Sequence, residues 1–314
     1  MKRIAILAVL SIFVFSATAF AANTFLNMGT AGVAGLYYPV GAAMCKIWNT
    51  HIPGMKANVQ ATGGTVQNIQ LMGKGEAELA FTDGSYYDAY NGKGAYEGRP
   101  QKYMRALVPV YPEPVNFTVA KGGGIKDIAG LKGKRVAVGA VGSGSEVIAR
   151  AILKAGGLDP DKDIEIHNLS AAEAARAYSD RQIDANIIAG PVGTAGIVEA
   201  TTMGLAELVD IPEAIVKNIS ETYPYYIPFA IPAKSYKGQE QSVNVVASWN
   251  IISINENVDA DLVYRMTKLL YENKKDITNV TARLEAMDLN NLGQITIPFH
   301  PGAEKYYKEA GALK

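Results

Sequence analysis

Three short stretches carry the residue types from which an anion site is made. Gly29-Thr30-Ala31-Gly32-Val33-Ala34-Gly35, Thr62-Gly63-Gly64-Thr65 and Gly139-Ala140-Val141-Gly142-Ser143-Gly144-Ser145 each mix glycines with hydroxyl side chains. Each also lies between a strand-like apolar run and a helical pattern. Glycine lets a ligand approach the backbone, and the free N–H groups and positive dipole end of a helix start attract an anion. Any one of these turns is explained by N-capping alone, since Ser and Thr begin helices everywhere. Three in one chain point to a binding site. The third is not a nucleotide loop: a P-loop needs Lys before its Ser/Thr to reach the terminal phosphates, and Gly144 stands there. The expected anion is a plain carboxylate. The candidate ligand contacts are Thr30 and Gly35, then Thr62, Gly63, Gly64 and Thr65, then Ser143, Gly144 and Ser145. Tyr37 and Tyr38 would add a flat apolar wall with hydroxyls at its tips, with core packing as the simpler use of the rings. Ser85, in Asp83-Gly84-Ser85, follows the strand ending at Phe81 and falls on the same sheet edge. Asp83 could meet a ligand ammonium, or more simply cap the next helix.

Catalysis is hard to build from this chain. His51 ends a helix, His167 lies in a strand and His300 in a C-terminal loop, so no metal-ligand spacing arises. Gly142-Ser143-Gly144-Ser145 departs from the Gly-x-Ser-x-Gly elbow of hydrolases. Cys45, between Met44 and Trp48 on a helix, reads as buried filler, and as the only cysteine it cannot form an internal disulfide. The expectation is a binding protein with no cofactor and no metal. A periplasmic serine hydrolase using Ser143 or Ser145 is one rival, and a ligand-binding sensor subunit for a receptor kinase another.

The elements that must position these turns repeat as strand, glycine turn and helix. Asn23 to Met28, Met55 to Ala61 and Glu78 to Phe81 read as strands, and Tyr38 to His51 and the stretch with Val66, Ile69, Gln70 and Met72 as helices. A second unit has strands at Val136, Ile164 to Leu169 and Ala185 to Ile188, with a helix over Ala171 to Asp180. The passage Tyr223 to Pro232 reads as irregular. Val243 to Ile254 reads as a strand returning to the first unit, followed by a helix over Asp259 to Asn273 and a helical tail. Two α/β units with parallel strands imply two lobes. The expected division is residues 22–113 with 242–314 as lobe 1 and 114–241 as lobe 2, hinged at Tyr111 to Pro114 and before Val243.

Met1-Lys2-Arg3, the apolar run Ile4 to Phe15 and Ala19-Phe20-Ala21 together make a secretory signal peptide over 1–21, cleaved near Ala21, which places the mature chain in the periplasm. Of 30 basic residues, Lys2 and Arg3 leave with it, so 28 face 30 acidic ones, a balance that argues against nucleic acid as partner. The expected partner is a small organic anion, bound by a monomer.

Several segments taken in order resemble the TAXI-type solute-binding proteins of tripartite ATP-independent periplasmic (TRAP) transporters. They are Gly29 to Gly41 around Leu36-Tyr37-Tyr38-Pro39-Val40-Gly41, Ala61-Thr62-Gly63-Gly64-Thr65-Val66-Gln67-Asn68, Tyr111-Pro112-Glu113-Pro114, and Leu131 to Gly139 running on through Ser145. Ile183-Asp184-Ala185 and His300-Pro301-Gly302-Ala303 with Tyr306-Tyr307 also match, so the likeness spans nearly the whole mature chain. It implies a type II periplasmic-binding-protein fold, two α/β lobes joined by a two-crossing hinge with a ligand cleft between them, and delivery to TRAP membrane permease subunits. It also implies ligands of the glutamate or 2-oxoglutarate type. Leu36 stands where the family commonly has Thr, and Asp83-Gly84-Ser85 replaces a pattern closer to Gln-Ser-Asp; both departures fall in the expected cleft.

Overall fold

The computed structural model describes residues 23–33, 36–141 and 143–314; the signal-peptide reading, Gly35 and Gly142 lie outside them. In chain order the elements are β1 (Thr24–Gly29), α1 (Tyr37–His51), β2 (Met55–Gln60), α2 (Thr65–Lys74), β3 (Leu79–Thr82), α3 (Tyr86–Asn91) and the long strand β4 (Met104–Ala120). There follow β5 (Arg135–Ala137), α4 (Gly144–Ala155), β6 (Glu165–His167), α5 (Ala171–Ser179), β7 (Ala185–Ala189), α6 (Ala195–Thr202), β8 (Ala206–Leu208), α7 (Glu213–Thr222) and β9 (Tyr226–Ile231). The chain then returns along β10 (Val243–Asn255) and closes with α8 (Ala260–Glu272), α9 (Lys274–Thr278) and α10 (Pro301–Glu309).

Local chemistry accounts for these boundaries. Val40, Met44, Ile47 and Trp48 recur at helical spacing and are buried, which pins α1 to the sheet, and Gly54 turns the chain after it at φ +77°. The Ser170 and Glu173 side chains form a reciprocal capping box at the start of α5, and Asp259 accepts the Leu262 amide at 2.8 Å to start α8. β10 shows no polar–apolar alternation because its residues from Val245 to Ile254 are all buried, on both faces of the strand.

The strands follow the order β2-β1-β3-β10-β4-β7-β5-β6, with β8 added to β4 and β9 to β10. Two strands pass through both halves of this sheet. β4 pairs with β10 up to Pro114 and with β7 from Val115 to Val119. β10 pairs with β9 from Val243 to Ser248 and with β3 from Ile251 to Ile254. Each half has its own apolar core. In one, Met28, Met44, Trp48, Phe81 and Met266 pack together, and the Trp48 indole donates to the Met266 carbonyl at 3.1 Å. In the other, Phe117, Val136, Ile152, Ile187 and Val245 pack beneath α4 and α7.

One sequence expectation about the strands needs correction. Tyr223 to Pro232 is not irregular throughout: Tyr226–Ile231 is strand β9, with Pro228 opposite Val246. β9 pairs on one side only, and an outer strand tolerates a proline whose missing N–H faces outward. Tyr111 to Pro114 forms the middle of β4. Its prolines sit opposite a stretch of β10 that shifts register at Asn250/Ile251, the kind of irregularity at which a strand accommodates them.

Candidate functional site

Strand direction brings the glycine turns to one junction. Thr82, the last residue of β3, pairs with Ile251, and the residues of β10 just before Ile251 belong to the crossing. From the other side Ala189, the last residue of β7, pairs with Val115, next to Pro114. β1 and β2 run parallel to β3's direction and β5 runs parallel to β7, so the turns after β1, β2, β3 and β5 all lie at strand ends that face the crossing. Carboxyl ends of strands in open α/β sheets are where ligands bind. A separate hollow of about 610 Å³ lined by Thr24, Glu78, Asp259 and Arg265 lies at the opposite end of β1, away from these turns.

The turns of the first half form a closed hydrogen-bond network around buried Asn68. Its Nδ2 donates to the carbonyls of Thr30 at 2.7 Å and Phe81 at 2.8 Å, tying the ends of β1 and β3 together. Its Oδ1 lies 2.7 Å from the Thr62 hydroxyl, which accepts from the Gly64 amide at 3.1 Å. Thr30 is buried and its hydroxyl donates to the Gln60 carbonyl at 2.8 Å, while the Thr65 hydroxyl accepts the Asp83 amide at 3.0 Å. The Gly63 amide donates to the exposed Gln67 side chain at 2.6 Å, and Gly64 takes φ +98°, a conformation that only glycine adopts easily. The Ser85 amide and hydroxyl both donate to Asp83 Oδ1. Of the candidates here, Thr30, Thr62, Thr65 and Ser85 thus spend polar groups on the turns themselves.

The turn of the second half is built differently. Ser143 is the N-cap of α4, its hydroxyl accepting the Glu146 amide at 3.2 Å, and Ser145 Oγ accepts the Ala189 amide at 3.1 Å, which locks the helix start to the end of β7. Gly139 makes this approach possible: at φ +91°, a Cβ there would stand 2.5 Å from Ser145 Cβ. The amides of Gly144 and Ser145, first in the helix, have no carbonyl within it to bond, and Gly144 is exposed. Both serine hydroxyls engage backbone, and neither is bonded to a histidine: His167 sits on Glu165 at 3.0 Å, and buried His300 caps α10 through the Gly302 amide rather than lying in a loop.

Between the halves lies a polar floor that sequence reasoning did not assemble. Tyr37 stacks on Phe81, with ring centroids 4.5 Å apart, and its hydroxyl donates to Asn250 Oδ1 at 2.6 Å. Tyr38 is half-buried beside it on α1. Glu113, on the crossing stretch of β4, is held up to about 7 by burial first and the Asp83 carboxylate second, with Asn250 and the Arg283 guanidinium pulling the other way. Burial also pushes up the Tyr37, Tyr111 and Tyr226 hydroxyls, each within the field of Glu113. Arg283 comes from a 3₁₀ turn (Ala282–Ala286) of the first half and donates twice to the Val192 carbonyl of the second, at 3.1 and 2.8 Å. Glu113 had a signal in the sequence, a charged residue between two prolines in an apolar run; Asn250 and Arg283 had none.

Among the described residues no helix is long and apolar enough to cross a membrane. The fold is that of the periplasmic binding proteins. The chain is similar to the periplasmic aliphatic sulphonate binding protein SsuA from Escherichia coli, at 15% identity and TM-score 0.51, over 93% of this chain and 95% of that one. It is similar to a TctC solute binding protein from Polaromonas, at 12% identity and TM-score 0.54, over 94% and 100%. XAC2383 from Xanthomonas citri, solved bound to ATP, matches at 10% identity and TM-score 0.54, over 92% and 96%. The fold, the paired turns and a family match over residues 28–311 agree: the chain belongs to the NMT1-like family.

Proposed function

We propose that this protein is an extracytoplasmic solute-binding protein that captures a small carboxylate-bearing solute between its two halves. The observation that carries the reading is the start of α4, where Gly139 permits close packing and the Gly144 and Ser145 amides face the crossing from which the Thr62 turn opens. A carboxylate there meets orphan N–H donors and the positive end of a helix dipole. Lobe boundaries fall where β4 and β10 change partners, near Pro114 and Ser248, and bending of these two strands would close the halves on the ligand. The rims support closure: Val33 and Val66 on one side are 67% and 57% exposed, and Val141 and Val147 on the other 80% and 57%. Apolar side chains left in water on two opposed rims gain by meeting.

The ordered resemblance to TAXI-type proteins supports delivery to a TRAP permease, and the basic, apolar and small-residue start supports export by a cleaved signal peptide. Thermal unfolding of the mature chain against dicarboxylates, 2-oxoacids, amino acids and aromatic acids tests capture, because a ligand of the folded form raises Tm with its concentration. Carboxylates are expected to raise it. A shift from neutral sugars or polyamines alone would sink the reading.

A further inference from the structure

The floor of the cleft is poorly matched to a second carboxylate. Asp83, after β3, and Glu113, on β4, are both half-buried, close enough for each other's charge to be felt, and no Lys or Arg forms an ion pair with either among the described residues. Arg283, whose charge reaches Glu113, is committed to the Val192 carbonyl. The other groups facing Glu113 are hydroxyls, Tyr37 from α1, Tyr111 from β4 and Tyr226 from β9, and the Asn250 amide from β10. Asn250 is fully buried, its Oδ1 taken by Tyr37, and its Nδ2 has no hydrogen-bond partner of good geometry. A buried donor left in that state is costly, and an ionised Glu113 is the acceptor beside it.

We propose that Asp83 and Glu113 form a cation subsite, so that the captured solute carries an ammonium group seated between these carboxyls while its carboxylate lies at the start of α4. The second half of this statement rests on the reading of function given above; the first half stands on the floor residues. An ammonium would favour the ionised form of Glu113, which would then accept from Asn250 Nδ2 and complete the network. A dicarboxylate would instead place a like charge beside Asp83.

The sign of the pH dependence follows. Burial first and the Asp83 carboxylate second push the Glu113 carboxyl up to about 7, and a neighbouring cation acts in the opposite direction. Capture of an ammonium therefore releases a proton to water at and below neutral pH. Affinity should rise as pH climbs toward 7 and level off above it, by about tenfold per pH unit below 7. A ligand lacking the amino group should bind with flat or falling affinity over the same range.

The test is calorimetric titration of the mature chain at pH 6 and pH 8 with matched acids, L-glutamate against glutarate, L-leucine against 4-methylpentanoate, and L-phenylalanine against 3-phenylpropanoate. The expected result is that one amino member binds at least tenfold tighter than its partner and weakens about tenfold from pH 8 to pH 6. Glu113→Gln should abolish that preference and that slope while sparing the deaminated acid. If Glu113→Gln does not fold, Asp83→Asn, which can still accept from Ser85, should weaken the preference for the amino member and move the slope to lower pH, because it removes a carboxylate that raises Glu113. Equal or tighter binding of the deaminated acid, or equal weakening of both members by the substitution, overturns the cation subsite and leaves carboxylate capture standing. If no member of any pair binds, capture itself fails and the subsite with it.

Discussion

The two sides of the cleft solve the same local problem, a strand turning into a helix, with opposite chemistry. On the first side the turn is held from within: Asn68 reaches two strand-end carbonyls and the Thr62 hydroxyl, and Thr65 ties α2 to the residue after β3. On the second side the turn is held by shape, with Gly139 allowing Ser145 to dock on β7 and the leading amides of α4 left facing the junction. A turn that satisfies its own polar groups is a rigid wall, whereas one that leaves donors open is where an anion gains most. The serine and threonine hydroxyls do structural work on both sides, and the difference lies in the leading amides of α4, which have no partner inside the helix.

The sharpest way to break this contrast is to remove the wall's centre. Asn68→Ala would remove the side-chain donor that the buried Phe81 carbonyl shares with the Thr30 carbonyl and would leave a cavity, with the Thr62 hydroxyl, 2.9 Å from the Thr30 carbonyl, as a remaining tie between these turns. Each unsatisfied buried group costs on the order of 1–3 kcal/mol, so a loss of about 3 kcal/mol is expected in urea unfolding. A loss under about 1 kcal/mol would mean that the first side is not held by this network. The second side should answer less strongly. Gly139→Ala places a methyl 2.5 Å from Ser145 Cβ at φ +91°, and relief requires α4 to move off β7. A cost of about 2 kcal/mol fits strain of this kind. Any carboxylate-induced rise in Tm should fall with it, because the same shift carries the Gly144 and Ser145 amides away.

This contrast explains what was legible in the sequence. Helices and strands with strong periodicity, such as α1 with Val40, Met44, Ile47 and Trp48, or the apolar run of β10, were readable because burial imposes the spacing. The glycine turns were readable as turns. What could not be read was how each hydroxyl is spent: Thr30 and Ser143 look alike in a string, yet one is buried against the Gln60 carbonyl and the other caps a helix at the junction. β9 was missed because Pro228 within it and Pro224 and Pro232 on either side resemble a loop until β10 supplies the pairing on one side. The polar floor was missed because Tyr37, Glu113, Asn250 and Arg283 come from four distant segments, and only the antiparallel passage of β10 between β3 and β4 sets them together.

The finest test separates binding from stability altogether. A Cβ at Gly144 would meet nothing within 4 Å, and the residue carries no left-handed φ, so Gly144→Ala inserts a methyl without strain. Alanine is a better helix former than glycine, and the stability of the variant should lie within about 0.5 kcal/mol of the parent or slightly above it. The methyl nevertheless stands at the first residue of α4, over the amides where a carboxylate has to approach closely. At the start of α2 the corresponding glycine does not allow this, since Gly64 at φ +98° would strain and its amide already bonds to Thr62. An unchanged urea midpoint together with a weakened carboxylate shift in Gly144→Ala would place the anion on the open turn. An unchanged shift would move it elsewhere in the junction and end the distinction drawn between the two sides.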